Sequence, residues 1–450
     1  MAHEDLCYQT VDELSSRIAS REISPVELTR AYLERAEELN PRVNAVLTFL
    51  SEQAIARART LESETSRGPL HGIPCGVKDL LDTAGTRTTW GSGIFAERVP
   101  DRDAEVVSKL DEAGAVLIAK LHMSEFAGGA TRSRRFDHPH NPWKLDRVTS
   151  GSSSGSGAAT AAAQVAFAIG SETGGSIISP SAACGITGLR PTYGRVSRKG
   201  AMPLAWSLDK LGPMARSAVD CGIVLEAIAE RPFAFRREGG AMTGRRAAVV
   251  SYELELASEA NRRIFEEAIE GLRRMGLATS DADLPDYPYR EIYNVTSNGE
   301  AGTFFKPLFD DGRIAEMYSA NRRADWMAAS MMPASDYIRA QRIRAALTRD
   351  ADALLGRVGL LVAATVPAGA RPIAEEDAPP VPGTREGKLM RFANLAGLPG
   401  VSIPCGFDAD GLPLALHIVG PAWEEQSILD VAMAFQRETD FHRRRPGLAV

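Results

Sequence analysis

Ser150-Gly-Ser-Ser-Ser-Gly-Ser156 and Gly170-Ser-Glu-Thr-Gly-Gly-Ser-Ile-Ile-Ser-Pro180 are two serine- and glycine-rich clusters joined by an alanine-rich segment, Ala158 to Ala168. Apolar patterns flank both clusters closely, which argues against a flexible Gly/Ser linker. Val165 to Ile169 reads as a short strand feeding the second cluster through a tight turn. There Gly174 and Gly175 let the backbone bend where a Cβ would clash. Ser176 then opens a short helix. Such a turn aims several backbone N–H groups at one point beside a hydroxyl, the arrangement of a nucleophile with an oxyanion hole.

The 450 residues suffice for one large core or two modest ones. With 44% hydrophobic and 24% charged residues, the composition is that of an ordinary soluble globular protein. The net charge of −6 gives no sign of a nucleic-acid partner. The short basic runs Arg132-Ser-Arg-Arg135 and Arg443-Arg-Arg445 read as solvated surface. Cys7, Cys75, Cys184, Cys221 and Cys405 are odd in number and irregularly spaced, as expected of free thiols in a reducing compartment. The start, Met1-Ala-His-Glu-Asp-Leu6, is polar rather than signal-like, and Ala158 to Ile169 is too short to span a bilayer. The expectation is a cytoplasmic protein with a small-molecule substrate, no membrane partner and homodimerisation left open.

Around the serine clusters, helical and strand patterns alternate from residue 68 onward. Thr10-Val-Asp-Glu13 and Ser24-Pro-Val-Glu27 are capping boxes, and the second helix should stop at Asn40-Pro41. Strands are expected over Val43–Phe49, Gly76–Lys78, Ala115–Ala119, Ala247–Val250, Leu360–Ala363, Gly400–Pro404 and Pro413–Val419. Helices are expected over 51–63, 103–113, 258–275, 388–395 and 424–436. Pro191 to Gly212 reads as loop-rich. Residues 280–335, dense in aromatics and methionine, read as irregular, either peripheral core or a soft-walled substrate entrance. The fold class is α/β, a large mixed twisted sheet flanked by helices. The chain reads as one domain: a helical part (1–65), a core (66–230), a variable stretch (235–335) and a part completing the sheet (336–450).

Several motifs compete. Gly151-Ser-Ser153-Ser-Gly155 fits the G-x-S-x-G nucleophile elbow, but the preceding Leu145-Asp-Arg-Val-Thr149 is too polar for the required strand. Ser207-Leu-Asp-Lys210 fits S-x-x-K without its companion triplets. Asp137-His-Pro-His140 lacks a spaced third metal ligand, so neither metal nor cofactor is expected. None of the seven histidines lies close in sequence to the second serine cluster, although a triad could still assemble in space. A serine activated without histidine needs another base, and Lys78, at a strand end after a proline-fixed apolar segment, is the best-placed candidate.

These residues carry a resemblance. The two serine clusters, with Gly72-Ile-Pro-Cys-Gly-Val-Lys-Asp79, Asn141-Pro-Trp143, Ser207-Leu-Asp209, Gly212-Pro-Met-Ala-Arg216 and Asn394-Leu-Ala-Gly-Leu-Pro399, resemble the amidase signature family over residues 5 to 445. The resemblance implies a Ser–cis-Ser–Lys triad: Ser176 as nucleophile, Ser152 as the bridging serine after a cis peptide from Gly151, and Lys78 as base. It implies an oxyanion hole from the N–H groups of Thr173, Gly174, Gly175 and Ser176, with Ser153 and Glu172 in support. A free lysine is neutral only about one time in a thousand near pH ~7.4, and burial raises that fraction. The chain departs from the family where Glu172 replaces the usual aspartate, and where Ile178 and Ser179 replace an arginine of many members. A small dicarboxylic half-amide substrate is therefore not expected.

The leading expectation is a stand-alone hydrolase of linear amides, with esters and carbamates open to the same acyl-enzyme route. The alternative is the glutaminase (A) subunit of a tRNA-dependent amidotransferase, which Tyr337 and Arg344 also resemble. The aspartate that grips the glutamine amine in such subunits matches Gly387 here.

Overall fold

A computed structural model describes residues 3–128, 130–376 and 387–448. Its centre is a mixed sheet whose eleven strands among the described residues run in the order Val46–Phe49, Val116–Leu121, Pro74–Lys78, Phe167–Glu172, Lys210–Ala215, Thr187–Arg190, Gly400–Phe407, Pro413–Val419, Leu360–Ala364, Arg246–Val249 and Ala278–Asp281. Helices flank it, so the expected α/β class with a large mixed sheet is what the chain forms. The strand Pro74–Lys78 pairs in parallel with both neighbours, and Phe167–Glu172 then pairs antiparallel with Lys210–Ala215. These inner strands are buried at every position, which is why they read as near-continuous apolar runs rather than alternating ones. The carboxyl ends of the parallel pair, Lys78 and Ser171-Glu172, emerge side by side. That is the edge of an α/β sheet at which ligands gather.

Local chemistry accounts for most boundaries. Both capping boxes form, with Thr10 and Ser24 hydroxyls accepting from the Glu13 and Glu27 N–H groups. The second helix does not stop at Asn40. It runs from Pro25 to Val43, with Pro41 accommodated within its last turn, and left-handed Asn44 ends it. The strand expected from Val165 instead spans Phe167–Glu172, and the alanines before it lengthen a helix, Ser154–Ala161. That helix lies hard against the chain beside it: a Cβ on Gly155 would come within 2.5 Å of the Ala45 carbonyl.

Two expectations fail in the middle of the chain. Lys210–Ala215 is a central strand although it begins inside a loop-rich reading. Gly212 and Pro213 hide it, since both residues normally argue against a strand interior. Residues 280–335 are largely helical, with helices Tyr289–Phe304, Lys306–Asp310 and Ala320–Ala329, followed by Ala334–Val358. The helix Tyr289–Phe304 packs against three others, Ala320–Ala329, Ala334–Val358 and Lys388–Leu395, so its apolar residues form no single stripe. All five cysteines are buried. No helix among the described residues is long and apolar enough to cross a membrane.

Candidate active site

Lys78 ends its strand with no exposed surface and points its amine at three hydroxyls: Ser152 Oγ at 2.7 Å, Ser171 Oγ at 2.9 Å and Ser153 Oγ at 3.0 Å. The Gly151–Ser152 peptide is cis. The Ser152 carbonyl accepts from the Ser124 N–H, and the Ser153 N–H reaches the Ser176 carbonyl at 3.3 Å, stitching the two serine clusters together. Ser153 Oγ donates to the Ser171 carbonyl and accepts from the Ser171 N–H, so its proton is already engaged. Burial pushes the Lys78 amine well below the ordinary lysine range, against the upward pull of the Asp209 and Glu172 charges. Ser176 is half-buried at the open side of the cluster, while Lys78 and Ser153 are sealed.

The turn from Thr173 to Ser176 is held from beneath. Glu172 Oε2 accepts from the backbone N–H groups of Ile177 (2.8 Å) and Ile178 (2.9 Å), while Oε1 accepts from Arg190 Nη1 and Asn394 Nδ2, each at 2.8 Å. Lys210 Nζ donates to Asn394 Oδ1 at 2.8 Å. Burial alone would raise the Glu172 carboxyl. The Arg190 guanidinium and the N–H donors outweigh it and hold the group at about 2. Thr173 Oγ1 donates to Asp209 Oδ1 at 2.6 Å, and Asp209 Oδ2 accepts from the Leu204 and Ala205 N–H groups. Burial pushes Asp209 up to about 6 despite those donors.

Above the turn, neighbouring helices leave room for hydrogen only. A Cβ on Gly174 would lie 2.6 Å from the Tyr293 phenol oxygen, and one on Gly175, at φ +134°, would meet Ser179 Oγ at 3.1 Å and Met390 Cγ at 3.4 Å. The Arg391 guanidinium stacks 3.7 Å from the centroid of the Tyr293 ring. Tyr293 and Met390 thus close one flank of the turn. Beside Ser171 and Thr173 a cavity of about 410 Å³ opens.

The family of the chain is read from its whole length. The amidase family model matches residues 27–429. This chain belongs to the amidase family. Its relatives include the A subunit of the glutamyl-tRNA(Gln) amidotransferase of Moorella thermoacetica, 36% identical over 99% of this chain and 100% of that one. The corresponding protein of the same name from Roseiflexus castenholzii is 38% identical over 97% of each chain. Among solved structures, the peptide amidase of Stenotrophomonas maltophilia is 29% identical, covers 97% of this chain and 98% of that one, and superimposes with a TM-score of 0.83. The amidase is therefore an enzyme acting on amide C–N bonds. The two amidotransferase relatives favour the amidotransferase reading over the stand-alone one.

The structure brings Lys78, Ser152, Ser153 and the Thr173–Ser176 turn together, with Glu172 beneath. Sequence reasoning missed Ser171 as a third hydroxyl on Lys78 and missed Arg190; it set Lys210 aside with the S-x-x-K pair and placed Tyr293 only within the aromatic stretch 280–335. Ser171 lies one strand position before Glu172, and the pairing of its strand with that of Lys78 brings it to the amine. The rejected S-x-x-K pair does not meet: Ser207 Oγ donates to Glu300, and Lys210 turns to Asn394. His138 and His140 also part company. His138 faces Thr131 and Glu376, and His140 bonds the Leu145 carbonyl.

Proposed function

We propose that this amidase hydrolyses linear amides through an acyl-enzyme on Ser176, with Ser152 as the bridging hydroxyl and Lys78 as the base. The observation that carries the reading is a fully buried lysine 2.7 Å from the Ser152 hydroxyl. A neutral amine has two N–H groups and one lone pair. Ser153, its own proton engaged by the Ser171 carbonyl, can only accept from Lys78. With the second N–H given to Ser171, the lone pair faces Ser152. Lys78 then takes the Ser152 proton as Ser152 takes that of Ser176, and Ser176 Oγ attacks the carbonyl carbon. The N–H groups of Thr173, Gly174, Gly175 and Ser176 receive the developing oxyanion. Collapse breaks the C–N bond, and the proton returns through Ser152 to the leaving nitrogen. Water, deprotonated by the same relay, then releases the acid. Ester and carbamate carbonyls fit the same cycle.

Ser176→Ala tests this directly. It is expected to abolish turnover of an aryl amide and labelling by a fluorophosphonate probe while the circular dichroism spectrum is kept. Full turnover in that variant ends the proposal.

The amidotransferase relatives support a second reading more directly than they support a stand-alone hydrolase: that the same acyl-enzyme forms from glutamine and the chain works as the glutaminase (A) subunit of an amidotransferase. Ammonia release from glutamine, together with co-purification of a second protein of the complex, is the outcome expected of it. Neither is expected of a stand-alone amide hydrolase.

A further inference from the structure

We propose that the cavity beside Ser171 and Thr173 receives the leaving amine, and that this amine is bulky and largely apolar, benzyl-sized or larger. The inference rests on the acyl-enzyme reading above and names its substrate class. It begins from which way the proton must travel. The relay of Lys78 and Ser152 protonates the departing nitrogen, so the amine departs on the relay's side of the carbonyl. The cavity borders that relay through Ser171. Its walls include Leu80, two residues after Lys78, and Ser171, whose hydroxyl is 2.9 Å from the Lys78 amine. Tyr293 covers the turn over Gly174 and Met390 lies beside Gly175, and neither residue lines the cavity.

Size and lining then set the class. The volume of about 410 Å³ falls in the range of sites that enclose whole organic ligands. An apolar cavity of roughly 150 Å³ already holds benzene, and a water-sized amine such as ammonia takes about 30 Å³. Leu80, Met202 and Leu204 are buried apolar walls, Trp206 is 42% exposed, and the charged Arg198, Lys199 and Glu230 line the more exposed part of the cavity. The buried carboxylate of Asp209, with both oxygens engaged by Thr173 and the Leu204–Ala205 backbone, is a wall rather than a docking charge. Ammonia would leave this space nearly empty, whereas a secondary amide of a benzylic or larger amine would fill it.

The test uses one acid coupled to methylamine, butylamine, benzylamine and naphthylmethylamine, assayed with the full-length enzyme. The two arylmethyl amines are weaker bases and better leaving groups, so the pocket is read from how each variant changes the series relative to wild type and from the methyl-to-butyl step, where basicity is equal. From methylamide to benzylamide, kcat/KM is expected to rise about tenfold or more, the discrimination an apolar pocket supplies for several carbons. Met202→Trp should bring the benzyl-to-methyl ratio down to about one. Leu204→Ala, which enlarges the space, should move the optimum to the naphthylmethyl amide. Fluorophosphonate labelling of Ser176 reports folding and the nucleophile in every variant. A flat wild-type series with Ser176 still labelled overturns the cavity assignment alone. So does a Met202→Trp penalty that follows the size of the acyl group instead of the amine. Absence of labelling at Ser176 in the wild type overturns the acyl-enzyme reading beneath it.

Discussion

Replacing Glu172 by glutamine should damage both stability and turnover, by amounts that follow from its four hydrogen bonds. The carboxylate accepts on every side: two backbone N–H groups on one oxygen, Arg190 and Asn394 on the other. An amide has one accepting end, so its NH₂ must face donors on the other. Fixing the carboxyl at about 2, against an ordinary 4.5, corresponds to on the order of 3 kcal/mol at neutral pH. Removing one partner of a buried pair costs about 3–5 kcal/mol. Glu172→Gln is therefore expected to lose about 3–5 kcal/mol in urea unfolding at pH ~7. The sign follows from the depressed value: the stabilisation is complete above the unfolded carboxyl value of 4.5 and fades as pH falls toward about 2. The gap between wild type and variant should narrow over that window. Because the lost anchors are the Ile177 and Ile178 N–H groups, the turn before them loosens, and a displacement of order 1 Å costs about 100-fold in kcat. A variant within about 1 kcal/mol of wild type, with unchanged kcat, would refute the claim that Glu172 holds the turn.

Four further outcomes follow from the same geometry. Lys78→Met should lower turnover at least ~100-fold, as removal of a general base does. It should also raise stability at neutral pH. Burial holds Lys78 below its unfolded value of 10.5, so the native state gains stability as pH rises from the depressed value to 10.5, and the methionine variant should lose that slope in unfolding titrations. In wild type, the acid limb of the kcat/KM profile should follow deprotonation of Lys78, and Asp209→Asn, removing a charge that pulls the amine upward, should move that limb to lower pH. Gly174→Ala should cost about 100-fold in kcat because its Cβ meets the Tyr293 phenol, and Tyr293→Ala in the same chain should restore part of the loss. An additive double variant would place the damage elsewhere.

Much of this site was legible because its chemistry sits in short, composition-rich stretches. Ser152 and Ser176 each lie in a run of glycines and small polar residues, Lys78 is a lone charge ending a proline-fixed apolar segment, and the caps of the early helices are local by nature. What was hidden depends on pairing. Arg190 and Lys210 lie on strands interrupted or followed by glycine and proline, and their burial makes sense only once Glu172 is opposite Lys210 in the sheet register. Tyr293 lies in a helix packed on several faces, where the apolar period disappears. Ser171 differs again: only the parallel register, which sets Val77 beside Ile169, reveals that its hydroxyl faces the Lys78 amine.

The same register-level view bears on the choice between the two proposed functions. The amidotransferase reading needs a carboxylate near residue 387 to hold a glutamine amine, and the chain has glycine there. The structure fills the gap from elsewhere: a Cβ on Gly387 would lie 2.7 Å from Glu253 Oε1. That carboxylate is a poor substitute. Burial pushes it above the ordinary carboxylate range, and Oε1 already accepts from the Leu389 N–H at 3.3 Å. A carboxylate with a raised proton affinity holds an ammonium group less firmly than an ordinary one. Glu253→Gln, which keeps the shape and removes only the charge, is therefore expected to change hydrolysis of glutamine and of a benzyl amide by the same factor. Selective loss of ammonia release from glutamine would show that Glu253 grips the amine after all, and would turn the balance to the amidotransferase reading.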